Sequence, residues 1–127
     1  MLIGVGVDIV AVKRIAGVLR RSSERFLNKI YTSEEQLRFL ELRTERNKEK
    51  SVFFLSSRWA LKEAVFKALS PSTLTWRDIA TTSNEGKPTL LVSDKLKNIY
   101  KERGITNCFI SLSHDLEYSV AFVIFES

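Results

Sequence analysis

The sequence predicts an α+β fold, one long helix packed on a mainly antiparallel sheet. Three observations carry that expectation. The run from about Val52 to Leu69 is rich in the helix formers Ala, Leu, Lys and Glu and meets no breaker before Pro71. The second half of the chain is strand-rich. Two of its strand patterns, Cys108 to Ser113 and Tyr118 to Phe125, are joined through His114-Asp115-Leu116-Glu117, a hairpin signal.

Taken in order, Leu2 to Ile9 reads as a strand with Ile3, Val5 and Val7 on one face and Gly4, Gly6 and Asp8 on the other. The paired glycines leave a groove beside Asp8 where a ligand or another backbone can approach. Val12, Ile15, Val18 and Leu19 follow helical spacing, and Phe26 to Ile30 reads as a short second helix. Thr32-Ser33-Glu34-Glu35 is a capping-box pattern that opens a third helix, with Leu37 and Leu40 expected inward. The polar tail from Arg43 to Lys50 reads as solvated, and the long helix follows. Pro71, Ser72 and Thr73 form a turn, and Trp76 to Thr81 is read as a strand. Asn84 to Pro88 is a turn leading into Thr89-Leu90-Leu91-Val92. Ser93 caps a helix carrying Leu96, Ile99 and Tyr100, and Gly104 ends it.

Composition narrows the function classes. At 127 residues, without repeat or linker, residues 1–127 are expected to form a single domain. The balance of 20 Lys+Arg against 15 Asp+Glu favours a polyanionic partner: nucleic acid, a phosphorylated cofactor or an acidic protein. Cys108 is the single cysteine and His114 the single histidine, which excludes a disulfide framework and a multi-histidine zinc site. No apolar stretch is long enough to span a membrane, and the N-terminus enters a strand without a secretory signal pattern.

Four groups carry possible chemistry. Asp8 closes the Gly-rich strand, although a cap for the following helix is an equal reading of it. Glu63 and Lys67 are i,i+4 neighbours on the long helix, as are Arg58 and Lys62. Charges on a largely buried helix need partners or a ligand, because an unpaired buried charge is expensive. Asn84 to Pro88 is a tight polar turn. Ser113-His114-Asp115 tops the hairpin, but adjacent residues of one turn do not supply a converging hydrolase triad, and that reading is rejected.

The ordered set Gly4-Val5-Gly6-Val7-Asp8-Ile9 with Arg14, Arg58-Trp59-Ala60-Leu61-Lys62-Glu63-Ala64 with Lys67-Ala68-Leu69, Trp76-Arg77-Asp78-Ile79, Gly86-Lys87-Pro88, and Ile110 to Asp115 with Tyr118 to Ala121 resembles the 4′-phosphopantetheinyl transferases, most closely those of the holo-acyl-carrier-protein synthase type. The resemblance covers nearly the whole chain. It implies transfer of the phosphopantetheine arm of coenzyme A to a serine of an apo acyl carrier protein, with adenosine 3′,5′-bisphosphate released, as in fatty acid biosynthesis. It implies Mg²⁺ held by Asp8 and Glu63, with Glu63 and Lys67 as the catalytic pair. The serine proton goes either to a metal-ordered water or to Glu63. By the same analogy Arg58, Lys67, Asn84, Gly86, Lys87, Pro88, Ser113 and His114 hold the coenzyme. Arg14, Arg20, Arg21 and Arg25, with Lys13 beside them, dock the acidic carrier protein. The resemblance further implies a homotrimer with active sites at subunit interfaces, in the cytoplasm or, alternatively, in mitochondria, with no nucleic-acid or membrane partner.

One segment departs from the family pattern. Members of the family usually carry a glycine-containing loop after the long helix, whereas this chain has the glycine-free Ser70-Pro71-Ser72-Thr73-Leu74-Thr75. Hydroxyls stand there in place of a backbone-amide cradle for phosphate. The competing reading is a small basic RNA-binding module without catalysis, which the high pI near 9.5 suits. Against it, the expected strands show no stacking pair of aromatics on a sheet face. A non-catalytic scaffold keeping the same fold is disfavoured by the intact Asp8, Glu63 and Lys67.

Overall fold

The first strand turns its glycines, not its branched residues, toward the interior. A computed structural model of the chain describes residues 1–71 and 73–127, with side chains at all of these but Ser83 and Asn84. The elements run β1 (Leu2–Ala11), α1 (Val12–Ile30), α2 (Ser33–Leu42), α3 (Lys48–Leu69), a 3₁₀ turn (Trp76–Asp78), β2 (Ala80–Asn84), β3 (Lys87–Leu91), α4 (Asp94–Arg103), β4 (Asn107–Asp115) and β5 (Tyr118–Glu126). One antiparallel sheet has the order β1-β5-β4, and β2 with β3 forms a second antiparallel pair. The α+β expectation holds. The long helix α3 lies across β1 and β5.

The contact between β1 and α3 explains the glycines. A Cβ on Gly6 would stand 1.9 Å from the Ala64 carbonyl oxygen, and one on Gly4 would stand 2.3 Å from that of Ala68. No side chain fits there, so the groove read beside Asp8 is filled by the backbone of α3. Gly4, Gly6 and Asp8 pair across β5 with Phe125, Val123 and Ala121, all fully buried beneath the helix. The opposite face of the sheet is apolar and uncovered. It carries Val5, Val7 (51% exposed) and Ile9 (61%) from β1, Phe122 from β5 and Phe109 from β4.

Several local expectations hold. Thr32 and Glu35 form the full capping box at the start of α2, with Glu35 N–H donating to the Thr32 hydroxyl and Thr32 N–H to the Glu35 carboxylate. Ser93 caps α4 by accepting from Leu96 N–H, and Gly104 ends that helix with φ +68°. The two expected helices over Val12 to Ile30 are both present, as the two halves of α1 on either side of a break at Ser22, whose φ is −152° and ψ 48°.

Three expectations are corrected. Leu37 and Leu40 face solvent; the buried side of α2 is Glu35 and Phe39. The capping box fixes Glu35 at N3, and its carboxylate is drawn inward by a buried lysine described below. Phe39, four residues on, therefore lies beneath it. Trp76 to Asp78 is a 3₁₀ turn rather than the start of a strand, and the strand begins at Ala80. There a second capping box, Thr75 with Asp78, nucleates the turn. Trp76 stacks on Trp59 at 5.2 Å and meets Phe66 edge-on at 4.7 Å, which fixes this segment against α3. His114 and Asp115 belong to β4, so the hairpin turn is only Leu116-Glu117. Ser72, within the expected turn, lies outside the described residues. Among the described residues no helix is long and apolar enough to cross a membrane.

Candidate active site

Asp8 follows Gly6 on the inward face of β1, and the tight strand–helix contact brings it against α3. The Lys67 ammonium donates to the Asp8 carboxylate at 2.9 Å and to the Val7 carbonyl at 3.1 Å. The Asp8 side chain is only 15% exposed, while that of Lys67 is 55% exposed. Glu63 lies one turn earlier on α3. Partial burial raises its carboxyl above the usual carboxylate range, and the negative charge of Asp8 raises it further, against the opposing pull of Lys67 and Arg14. Asp8, Glu63, Lys67 and Arg14 thus form one charged cluster at the junction of β1, α1 and α3. The Arg14 guanidinium also lies over the Trp59 ring, 5.7 Å from its centroid.

Two oxygen-donor groups face this cluster, and among the described residues no group of three or more His, Cys, Asp or Glu could hold a metal. Such a donor set suits a hard cation that takes one or two carboxylates and completes its shell with phosphate oxygens and water, as Mg²⁺ does. Burial raises Glu63 most, and the part that the Asp8 charge adds is what a cation held by both carboxylates would relieve.

A second feature is an open cavity of about 550 Å³ between α2, α3, the β2–β3 hairpin and β4. Arg58 and Phe54 line it from α3, Thr81 and Thr82 from β2, Gly86 from the hairpin turn and Pro88 from β3. Arg58 is half-buried; desolvation lowers the pKa of its guanidinium, while the nearby Glu35 carboxylate pulls the other way. The guanidinium stacks over Phe54 at 4.7 Å and donates to the Ser57 hydroxyl. Glu35 and Arg38 close the α2 side.

The structure therefore gathers Asp8, Glu63, Lys67 and Arg14 in one place, and Arg58, Gly86 and Pro88 in another. Lys87 begins β3 and is exposed; it does not line the cavity. The Asn84 side chain lies outside the described ones. Ser113 and His114 are separated by the pleat of β4. His114 points to the helix side and packs on Phe53 with ring centroids 5.3 Å apart, while Ser113 points to the uncovered face. Within one chain they do not form a joint grip, and Leu112 is the residue of β4 that reaches the cavity. Arg20, Arg21 and Arg25 are exposed along α1 on either side of the Ser22 kink.

Sequence reasoning missed Glu35, Arg38 and the Thr81-Thr82 pair as wall residues. Glu35 was visible only as a helix cap. It also missed that Arg20 shares a smaller cavity of about 190 Å³ with Arg43 and Lys48, which continues the basic surface onto the α2–α3 connection.

Comparison with known proteins gives the following. The profile of the 4′-phosphopantetheinyl transferase superfamily matches residues 4–123. A holo-[acyl-carrier-protein] synthase of Paraburkholderia phymatum is 38% identical over 98% of this chain and 93% of its own length. The crystal structure of holo-[acyl-carrier-protein] synthase from Neisseria meningitidis superposes with a TM-score of 0.86 at 30% identity, over 100% of both chains. A holo-(acyl-carrier-protein) synthase from Bacillus anthracis, solved in complex with CoA (3′,5′-ADP), gives a TM-score of 0.77 at 29% identity, over 100% of this chain and 98% of that one.

Proposed function

This chain belongs to the 4′-phosphopantetheinyl transferase superfamily, and from that premise we propose that it transfers the 4′-phosphopantetheine arm of coenzyme A to a serine of an apo acyl carrier protein. The products are the holo carrier protein and adenosine 3′,5′-bisphosphate. The observation that carries this reading is the cluster of Asp8, Glu63 and Lys67 where β1 meets α3.

The serine hydroxyl attacks the phosphorus that bears the pantetheine arm. A new P–O bond forms, the pyrophosphate P–O bond breaks, and the leaving oxygen departs with the nucleotide. Such a transfer depends on positioning and charge stabilisation more than on covalent help. Asp8 and Glu63 are the residues that would hold Mg²⁺, which supplies neutralisation of the pyrophosphate charge when bound. Lys67, one turn beyond Glu63 and still half-exposed, meets a phosphate oxygen from the other side. Glu63 offers the carboxylate that accepts the serine proton, directly or through a water. Arg58 and the cavity it lines take the nucleotide portion of coenzyme A, and the exposed Arg14, Arg20, Arg21 and Arg25 receive the carrier protein.

Residues 1–127 work as a single transferase domain in this reading, since the first strand pairs with the last. The uncovered apolar face of β1-β5-β4 supports a homotrimer, in which Ser113 on that face reaches a neighbouring subunit.

The test is mass spectrometry of an apo carrier protein incubated with coenzyme A and Mg²⁺. The expected result is the addition of one phosphopantetheine to one serine. Asp8→Ala and Glu63→Gln should each lower the rate by at least ~10²–10³. Glu63→Gln should do so without unfolding the protein, because the ionised carboxylate is disfavoured where it stands. Near wild-type turnover in either variant would remove these residues from the mechanism.

A further inference from the structure

Beside Glu63 stands a lysine that the proposed chemistry does not use. Lys62 is 0% exposed, in the middle of α3. Its ammonium lies 2.8 Å from the Glu35 carboxylate and donates to the backbone carbonyls of Trp76, at 3.0 Å, and Ile79. It also sits against the Tyr31 ring, 5.8 Å from the centroid.

An ammonium has three protons to give. All three are taken here, one by a carboxylate and two by main-chain oxygens. No donor is left for a phosphate, and no surface is open for one to arrive. Lys62 therefore differs in kind from Lys67, which is half-exposed.

The three acceptors come from two pieces of chain, α2 and the segment that leads into β2, and both pieces run on to the wall of the same cavity. Glu35 is the N3 residue of α2 and lines the cavity. Ile79 is two residues before Thr81, which lines it together with Thr82. Lys62 belongs to the same helix as Arg58, one turn away, which lines it from α3. Without the lysine, Glu35 would be a carboxylate on the wall of a site proposed to hold phosphates.

We infer that Lys62 is a positioning residue for coenzyme A: it ties α2, α3 and the start of β2 into one cavity and cancels the Glu35 charge at its wall. The inference rests on the proposed transferase reading and deepens it. Lys62 acts on coenzyme binding through Glu35, Trp76 and Ile79, without contact to the coenzyme.

Two variants that break the same ion pair separate this role from plain stability. Lys62→Met leaves three oxygens without their donor and the Glu35 carboxylate uncompensated. Glu35→Gln keeps an oxygen for the ammonium and keeps the capping box, since Gln also serves at N3. It removes only the charge. Both variants should be less stable than wild type, because a buried charge loses its partner in each. Their effects on coenzyme A should diverge.

The experiment measures kcat and KM for coenzyme A with the full chain, Mg²⁺ and an apo carrier protein, alongside thermal stability. Lys62→Met should raise the KM for coenzyme A ~10-fold or more with kcat within about threefold of wild type. Glu35→Gln should lower that KM despite its lower melting temperature, because the wall loses its negative charge while Lys62 stays. Equal increases in KM for the two variants would overturn the inference, as would an unchanged KM in Lys62→Met. So would a kcat that falls with KM constant, which would place Lys62 at the reacting centre. If Lys62→Met does not fold, Glu35→Gln decides alone: a KM that falls supports the inference, and a KM that rises or holds overturns it. Wild-type protein that fails to use coenzyme A at all sinks the transferase reading itself, a result distinct from all of these.

Discussion

Ser70 ends α3 in a left-handed conformation, with φ +45° and ψ +51°, and its N–H closes the helix by donating to the Phe66 carbonyl at 2.8 Å. That geometry is the one glycine adopts without steric cost. Ser70→Gly should therefore stabilise the protein by about 0.5–1 kcal/mol, once the greater freedom of glycine in the unfolded chain is offset. A higher denaturant midpoint with an unchanged slope would show it; a lower midpoint would mean that the serine hydroxyl makes a compensating bond. A few residues on, burial alone would raise the Asp78 carboxyl. The hydrogen bonds from Thr75 N–H and hydroxyl, with Lys95, outweigh it and hold the group below the usual carboxylate range. A depressed native pKa stabilises the fold above the unfolded pKa of about 4, and this is lost as the pH falls through the native value. Asp78→Asn should cost about 0.5–1 kcal/mol at neutral pH. The gap to wild type should narrow as the pH drops below about 4. A gap that stays constant through the acid limb would contradict the assigned bonds.

At the scale of the element, α1 presents Arg20 and Arg21 to solvent before the Ser22 kink and Arg25 after it. Exposed charges act mainly on encounter and are screened beyond a Debye length of ~8 Å at physiological salt. Arg20→Glu or Arg21→Glu should raise the KM for the carrier protein, with an effect that shrinks as salt is added. Coenzyme A binding measured by calorimetry without carrier should stay nearly unchanged. A carrier KM indifferent to both reversals would leave these arginines as a solvated face only. The elements also show how far the sequence could be read. The caps of α2 and α4 are local chemistry and were legible from Thr32, Glu35, Ser93 and Gly104 alone. So was the pairing of Asp8 with the Glu63–Lys67 face, through the ordered motifs. The orientation of α2 was not. Its inward side is set by Lys62, 27 positions away from Glu35, and helical periodicity assigns leucines inward unless such a distant partner is known. The 3₁₀ turn at Trp76 was partly legible in the Thr75–Asp78 capping box, but the stack on Trp59 that fixes it against α3 was not. The opposed directions of Ser113 and His114 follow from strand alternation once both belong to β4, which a hairpin signal placed two residues too early concealed.

For the whole molecule, the exposed branched and aromatic residues of the outer sheet face make an isolated chain incomplete. A contiguous apolar patch of this kind is normally covered. Light scattering at micromolar concentration should give about three times the 14.6 kDa of one chain. Val7→Lys, which puts a charge in that face, should shift the mass toward the monomer and lower transfer. A monomeric wild type with full activity would refute the trimer. The contact on the opposite side of the same sheet has a different consequence. At Gly4 and Gly6 the strand rests on the main chain of α3, with no side chain between them. The spacing of Asp8 and Glu63 is thus gauged by two backbones, like a joint cut to fit without a shim. That contact is made by main-chain atoms at Gly4, Gly6, Ala64 and Ala68, so it does not depend on the rotamer of any core side chain. A single added methyl at Gly6 would force the whole strand to lift, and would throw the site out of true without altering any residue in it.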